Sequence, residues 1–232
     1  MQWGRYGNLY AASSLEHLFD EAYAGAMWFQ GSLLDGAPEV SVGELGSSVE
    51  RVELAQGAWI DLRYGWLAGA DELFATLQRI VPWRAERREM YERVVDVPRL
   101  LCHYGEGDEL PDPALVTCRD SLSAHYAAEL GEPFATAGLC YYRDGRDSVA
   151  WHGDRLGRGA HEDTMVAILS LGEHRRLSLR PAGGGAQIGY TLGHGDLIVM
   201  GGSCQRTWEH AVLKTANAGP RVSVQFRPRG VL

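Results

Sequence analysis

The sequence predicts a mainly β fold with flanking helices (α+β), a sandwich or jelly roll with N-terminal helices packed on it. Two observations predict it. After Gly131 the chain breaks into eight short strand-like runs, separated by turn residues at Asp144-Gly145, Gly183-Gly184-Gly185 and Gly193-His194-Gly195-Asp196. Before Gly131, apolar residues recur at helical spacing over two stretches.

Taken in order, residues 1–26 carry Tyr6, Tyr10, Leu15, Leu18 and Phe19 among small and polar residues, with a short amphipathic helix around Ser14 to Tyr23. They read as an N-terminal extension of unknown role, and Met27 as the natural start of a domain over 27–232. Alternation from Val52 to Trp66 suggests one or two strands. Leu73, Phe74, Leu77 and Ile80 mark a helix over Ala70 to Ile80, stopped by Pro82. Arg84, Arg87, Arg88, Arg93 and Arg99 interleave with Glu86, Glu89, Glu92 and Asp96, the pattern of a solvated face. Val97-Pro98-Arg99-Leu100, His103-Tyr104-Gly105 and an acidic loop then break regular structure. A helix from Pro113 to Leu130, ended by Gly131, presents Leu115, Leu122, Tyr126 and Leu130 to a sheet. The strand-like runs are Ala137 to Tyr142, Ser148 to His152, Thr164 to Leu171, Arg176 to Arg180, Gln187 to Leu192, Asp196 to Met200, Trp208 to Leu213 and Arg221 to Arg227.

At 232 residues and 45% hydrophobic content, the chain suits one globular domain with a full core. Cys102, Cys118, Cys140 and Cys204 form no C-x-x-C pair and follow no signal peptide. They read as reduced thiols of a cytoplasmic protein, which argues against a structural zinc cluster. No apolar run approaches the roughly 20 residues of a membrane helix, so a soluble protein is expected. A net charge of −8 argues against a coat for nonspecific nucleic-acid binding but leaves room for a local basic groove. Of the 22 basic residues only Lys214 is a lysine, which codon bias explains most simply.

The chemistry centres on Trp151-His152-Gly153-Asp154. On a strand, His152 and Asp154 point the same way, so one nitrogen and one oxygen ligand converge. His210, in the apolar run Trp208 to Val212, could close a two-histidine, one-carboxylate face, the usual holder of non-heme Fe(II) with open positions. An isolated H-x-D is common at strand ends as a solvated pair, so the final strand matters. There Arg221, Ser223, Gln225 and Arg227 share one face. Arginines facing a core need an anion, and the forked donors of Arg221 suit a carboxylate held bidentately. An edge strand with its arginines in solvent gives the same alternation. The joint order of H-x-D, distal histidine and R-x-x-x-x-x-R favours the functional reading. His161 and His174 follow Asp154 too soon to rival His210, His194 sits in a glycine turn, and His103 and His125 precede the motif.

In that order, Tyr142-Arg143-Asp144-Gly145-Arg146-Asp147 leading into Trp151 to Asp154, Leu169-Ser170-Leu171-Gly172, Gly195 to Met200, Trp208-Glu209-His210 and Arg221 to Arg227 resemble a known family. It is the AlkB-like Fe(II)- and 2-oxoglutarate-dependent dioxygenases of nucleic-acid alkylation repair. Pro98-Arg99 with Tyr104-Gly105 resembles that family's substrate-side segment, and the likeness runs from Val94 to Arg229. It implies a double-stranded β-helix (jelly-roll) core over about 134–229. His152, Asp154 and His210 would bind Fe(II). Arg221 would pair with the distal carboxylate of 2-oxoglutarate, Tyr142 would hydrogen-bond the same end, and Arg227 would sit between cosubstrate and substrate. The implied reaction uses O2 and 2-oxoglutarate to oxidise an N-methyl group on alkylated DNA or RNA, of the 1-methyladenine or 3-methylcytosine type. It releases formaldehyde, succinate and CO2.

Two positions depart from the family pattern, which often has asparagine two residues before the tyrosine and two after the first arginine. Here they are Cys140 and Ser223, so both bear on how 2-oxoglutarate is seated. A thiol beside an oxidising iron is itself open to oxidation. A base taken out of a duplex needs aromatic or imidazole surfaces, for which Tyr104 and Trp151 are candidates. Trp151 has the opposite strand parity to His152, and a core position on the other side suits it equally. Arg99, Arg155 and Arg158 would touch phosphate or lie in solvent. The expectation is a monomeric, cytoplasmic demethylase. The alternatives are the same oxygenase acting on a protein or small molecule, and a noncatalytic jelly-roll binding module.

Overall fold

Strand alternation organises most of the chain, and two stacked sheets follow from it. The computed structural model describes residues 39–231 apart from 91, 92 and 156. The extension over 1–26, the helix expected around Ser14 to Tyr23 and the domain start at Met27 lie outside the described residues.

Strands β1 (Ser41–Val42), β2 (Glu50–Glu53), β3 (Ala58–Arg63) and β4 (Leu67–Ala68) precede helix α1 (Ala70–Ile80). The pair β5 (Arg84–Met90) and β6 (Arg93–Tyr104) leads into α2 (Pro113–His125) and the short α3 (Ala127–Leu130). Then come β7 (Phe134–Tyr142), β8 (Val149–His152), β9 (Val166–Gly172), β10 (Arg175–Pro181), β11 (Ile188–Leu192) and β12 (Asp196–Gly202). One turn of helix, α4 (Cys204–Thr207), separates these from β13 (Trp208–Val212) and β14 (Arg221–Pro228). All eight runs predicted after Gly131 are strands.

The larger sheet has the order β2-β3-β12-β9-β14-β7-β6-β5 and the smaller β11-β10-β13-β8, with antiparallel pairing throughout. One face of the larger sheet packs Leu139, Leu169, Val222, Val224 and Phe226 against Leu73 and Leu77 of α1 and Leu115 and Leu122 of α2. Its other face meets the smaller sheet through Ile60, Ile168, Ile198, Leu177, Leu179 and Val212. The arrangement is the sandwich of a jelly roll, with helices covering one outer face.

Strand β14 is not an edge. It hydrogen-bonds to β7 on one side and β9 on the other, with Val222, Val224 and Phe226 in the helix-side core. Its alternate residues, Arg221 to Arg227, therefore point between the sheets, and the solvent reading of those arginines is excluded.

The segment Arg84 to Tyr104 also differs from expectation, since the charged stretch and the supposed break around Pro98 form two long strands. β6 pairs with both β5 and β7. Between Ala85 and Arg87 the partner register moves from Leu100 to Asp96, so Pro98 sits in a bulge where no ladder N–H is required. Its carbonyl accepts from the Ser148 N–H at 2.8 Å.

The helix expected to run unbroken to Leu130 is interrupted at Tyr126, and Gly131 ends α3 with φ 73°. The Tyr126 hydroxyl donates to Asp61 Oδ2 at 2.9 Å in the interior, while Arg51 grips the same carboxylate at 2.7 and 2.8 Å and stacks 3.9 Å from the Trp59 ring. This ties α3 to β2 and β3. Tyr126→Phe removes one hydrogen bond to a buried carboxylate, so urea unfolding is expected to show a loss of about 1.5–3 kcal/mol. An unchanged midpoint would mean that Arg51 alone satisfies Asp61.

Candidate metal centre

β8 and β13 are neighbours in the smaller sheet, and His152 and His210 are cross-strand partners. Their ring centroids lie 4.2 Å apart. Asp154 follows β8 by two residues, and one ligand atom from each of the three lies within 4.8 Å of the others.

Neighbouring groups fix which atoms face the centre. His152 Nδ1 lies 2.8 Å from the Ala150 carbonyl, an acceptor, so Nδ1 carries a hydrogen and Nε2 is the ring atom available to a metal. That Nε2 is 3.6 Å from Asp154 Oδ1. Arg227 donates to the other oxygen, Oδ2, through Nε at 3.2 Å and Nη2 at 3.0 Å, leaving Oδ1 for a cation. Burial alone would raise the Asp154 carboxyl, but the positive charge of Arg227 outweighs it and holds the group below its ordinary range. Burial first, then His152, push His210 down to about 3, so its ring is neutral and free to ligate.

The middle residue of the motif is glycine for steric reasons. A Cβ on Gly153 would stand 2.5 Å from the Gln205 carbonyl and 3.1 Å from that of Trp208, while the Asp154 N–H donates to Gln205 Oε1 at 3.3 Å. Gly153→Ala should therefore displace Asp154, and Fe(II) affinity is expected to fall by about 10–100-fold in an equilibrium metal titration. Affinity equal to the wild type would show that the loop moves without shifting the carboxylate.

The three ligands line a partly open pocket of about 70 Å³ between the sheets. Arg221 lines it too, 2% exposed, with Nε donating to Ser170 Oγ at 2.9 Å and Nη1 buried without a hydrogen-bond partner. Its cross-strand neighbour is Tyr142, whose ring lies 5.2 Å from the guanidinium. Burial draws the Arg221 pKa down, and no carboxylate pairs with it among the described residues. A buried cation with an orphan donor, beside apolar walls from Val166, Ile168, Leu177, Leu192 and Val212, fits a short chain ending in a carboxylate. The donor set thus suits both a divalent iron and 2-oxoglutarate.

Tyr142, Cys140, Ser223, Arg221 and Arg227 all line this cavity. Arg227 has its anion in Asp154 itself, which sequence reasoning did not foresee. Gln225 reaches back to Ser223 Oγ at 2.5 Å, and its Oε1 lies 3.6 Å from Cys140 Sγ. Strand parity already placed Gln225 on that face and Ser170 lay in a motif of the family resemblance without a role assigned to it, whereas Gln205 carried no signal.

Arg99, Cys140, Gln225 and Arg227 also line a larger cleft of about 650 Å³, together with Tyr104, His103 and the exposed Asp108 and Glu109. Tyr104 and Arg99 are thus brought beside the metal pocket, with Arg99 Nη1 donating to the Ser148 carbonyl at 3.3 Å. Trp151 and Arg155 line neither space. The Trp151 ring lies 4.2 Å beneath Arg180, which pairs with Glu209 at 2.9 Å, and Arg155 is exposed, 4.0 Å from Glu209. Opposite parity to His152 puts Trp151 there. Arg158 is taken up by Glu132 and Glu162.

Residues 102–227 match the 2OG-Fe(II) oxygenase superfamily. The chain is 30% identical to bovine alpha-ketoglutarate-dependent dioxygenase alkB homolog 3, over 84% of its own length and 73% of that protein. It is 24% identical to the DNA oxidative demethylase ALKBH2 of Arabidopsis thaliana, over 66% of this chain and 60% of that one. An uncharacterized protein of Acanthamoeba polyphaga mimivirus is 35% identical over 105 residues, 44% of this chain and 53% of the viral one. In fold, the chain resembles a Pseudomonas putida prolyl-4-hydroxylase, with TM-score 0.52 and 18% identity over 74% of this chain and 93% of that one. Sequence similarity over most of the chain and a converged ligand triad agree: the chain belongs to the 2OG-Fe(II) oxygenase superfamily, as an AlkB-like Fe(II)- and 2-oxoglutarate-dependent dioxygenase.

Proposed function

We propose that the protein is a monomeric, cytoplasmic demethylase of alkylated nucleic-acid bases, of the 1-methyladenine and 3-methylcytosine type. The observation that carries the reading is the cleft, which adjoins the metal pocket through Arg99, Cys140, Gln225 and Arg227 and offers the Tyr104 ring as a stacking surface. Similarity to alkB homolog 3 and to a DNA oxidative demethylase supports it. Asp108 and Glu109 add carboxylates suited to a methylated base that carries positive charge.

Iron bound by the triad supplies O2 activation, coupled to conversion of 2-oxoglutarate to succinate and CO2. The protein's own groups do the rest. Arg221, helped by Tyr142, holds the distal carboxylate, and the aliphatic walls keep the cosubstrate pocket dry. Arg227 keeps Asp154 ionised and aimed, and Tyr104 with Arg99 receives the unstacked nucleotide. The N–CH3 carbon gains one oxygen atom to become N–CH2OH. The C–N bond then breaks, releasing formaldehyde and leaving the base with its original ring nitrogen.

The test is formaldehyde release from a single-stranded oligonucleotide containing 3-methylcytosine, with Fe(II), ascorbate and 2-oxoglutarate, comparing wild type with His152→Ala. Release by the wild type alone is expected. Succinate without formaldehyde, on this substrate and on 1-methyladenine, would move the substrate to a protein or small molecule.

A further inference from the structure

A third concavity, of about 410 Å³, lies on the smaller sheet and shares no lining residue with the metal pocket or the cleft. Its cations are Arg175, Arg176 and the chain's one lysine, Lys214, with the His174 ring beside them. Ser178, Thr191 and Thr215 add hydroxyls, and no carboxylate is among its described lining residues. In a protein of net charge −8 this composition is unusual.

The local acids are already engaged. Asp144 pairs with Arg146, Asp147 with Arg143, and Glu173 with His174. Arg175 is 3% exposed, and its guanidinium donates to the carbonyls of Asp144, Asp147 and Leu213 at 3.3, 3.0 and 2.8 Å, so its hydrogen bonds are met but its charge is not neutralised. Arg176 and Lys214 are exposed, and neither has a carboxylate partner among the described residues.

The Arg176 guanidinium packs on the neighbouring strand β11. It lies against Gly189, where a Cβ would meet Nε at 2.3 Å and Cζ and Nη2 at 2.5 Å. Gly189 lies inside β11 with no positive φ, so backbone conformation does not call for glycine there. Glycine weakens a strand interior, and close approach of another group is the usual reason for one. Here that group is a guanidinium with free forked donors, next to an ammonium and hydroxyls, an arrangement matched to tetrahedral phosphate oxygens.

We propose that this groove is a phosphate-binding site, separate from the metal centre, that takes either the backbone of a nucleic-acid strand or a free phosphate. It stands independently of the demethylase reading, because it shares no lining residue with the metal pocket or the cleft, and the two residues tested below, Arg176 and Lys214, line neither. On a single strand, each lost phosphate contact lowers the log–log salt slope by about 0.7, or about fivefold in affinity at ~0.1 M salt.

The experiment compares the full chain with an Arg176→Ala/Lys214→Ala variant. Binding of a labelled, unmodified single-stranded oligonucleotide is followed by anisotropy over a salt series, and pyrophosphate binding by calorimetry. Both substitutions are at exposed positions, and an unchanged thermal midpoint will confirm folding. The expected result is at least about fivefold weaker oligonucleotide binding with a shallower salt slope. Loss confined to pyrophosphate would assign the groove to free phosphates. Wild-type affinity and slope for both probes would overturn the proposal. The formaldehyde assay reads the other site, so failure of one reading leaves the other intact.

Discussion

His152→Ala is expected to abolish 2-oxoglutarate turnover while leaving the fold intact. Loss of an outer partner of a metal ligand already costs about 10–100-fold in affinity, and loss of a ligand itself costs more. Of the three ligands, His152 is the one to replace. His210 is 7% exposed and cross-strand to it, so truncation there also opens a cavity. Asp154 is the buried anion of Arg227, and its removal would strand that guanidinium. The His152 side chain is 38% exposed, so water can fill the space left behind. Fe(II) titration together with a thermal melt checks this: lost iron binding with an unchanged melt is expected. Near-normal iron binding by the variant would remove His152 from the ligand set.

Arg221→Met is expected to separate cosubstrate binding from stability. Truncating one member of a buried hydrogen-bonded charge pair costs about 2–5 kcal/mol of binding, so 2-oxoglutarate affinity should fall roughly 30-fold to several thousand-fold. Without cosubstrate the guanidinium donates to Ser170 and lies against the Tyr142 ring, no carboxylate pairs with it among the described residues, and its Nη1 is unsatisfied. The Ser170 hydrogen bond, from a charged donor, contributes about 1.5–3 kcal/mol, less than the several kcal/mol that desolvating an unpaired cation costs. The cosubstrate-free variant should therefore match or exceed the wild type in urea unfolding, with binding nearly gone. A destabilised variant that still bound 2-oxoglutarate normally would show Arg221 to be a structural residue and place the distal carboxylate elsewhere.

Much of this site was legible because strand parity is local. The spacing of His152 and Asp154 and the polar face of Arg221, Ser223, Gln225 and Arg227 depend only on side chains alternating along an extended backbone. Glycines at turns and apolar periodicity located the eight strands and helix α1. The charges of Arg84 to Asp96 misled, because alternating charge reads alike on a solvated face and on a strand. Pro98 misled as well, since a proline that breaks a strand and one that occupies a bulge differ only in what lies beside them.

By itself, then, the sequence determined the fold class and the eight strands after Gly131, which rest on residue type and short-range periodicity, and the metal-ligand triad, which rests on the joint order of its motifs and their resemblance to a family. Tertiary structure alone decided that β14 lies inside its sheet, which turned its arginines from solvated groups into a buried anion site. It also decided which arginine serves which anion, with Arg227 on Asp154 and Arg221 left open. Those outcomes depend on pairing between residues far apart in the chain and on the loss of water between two sheets. Neither leaves a mark in the local pattern.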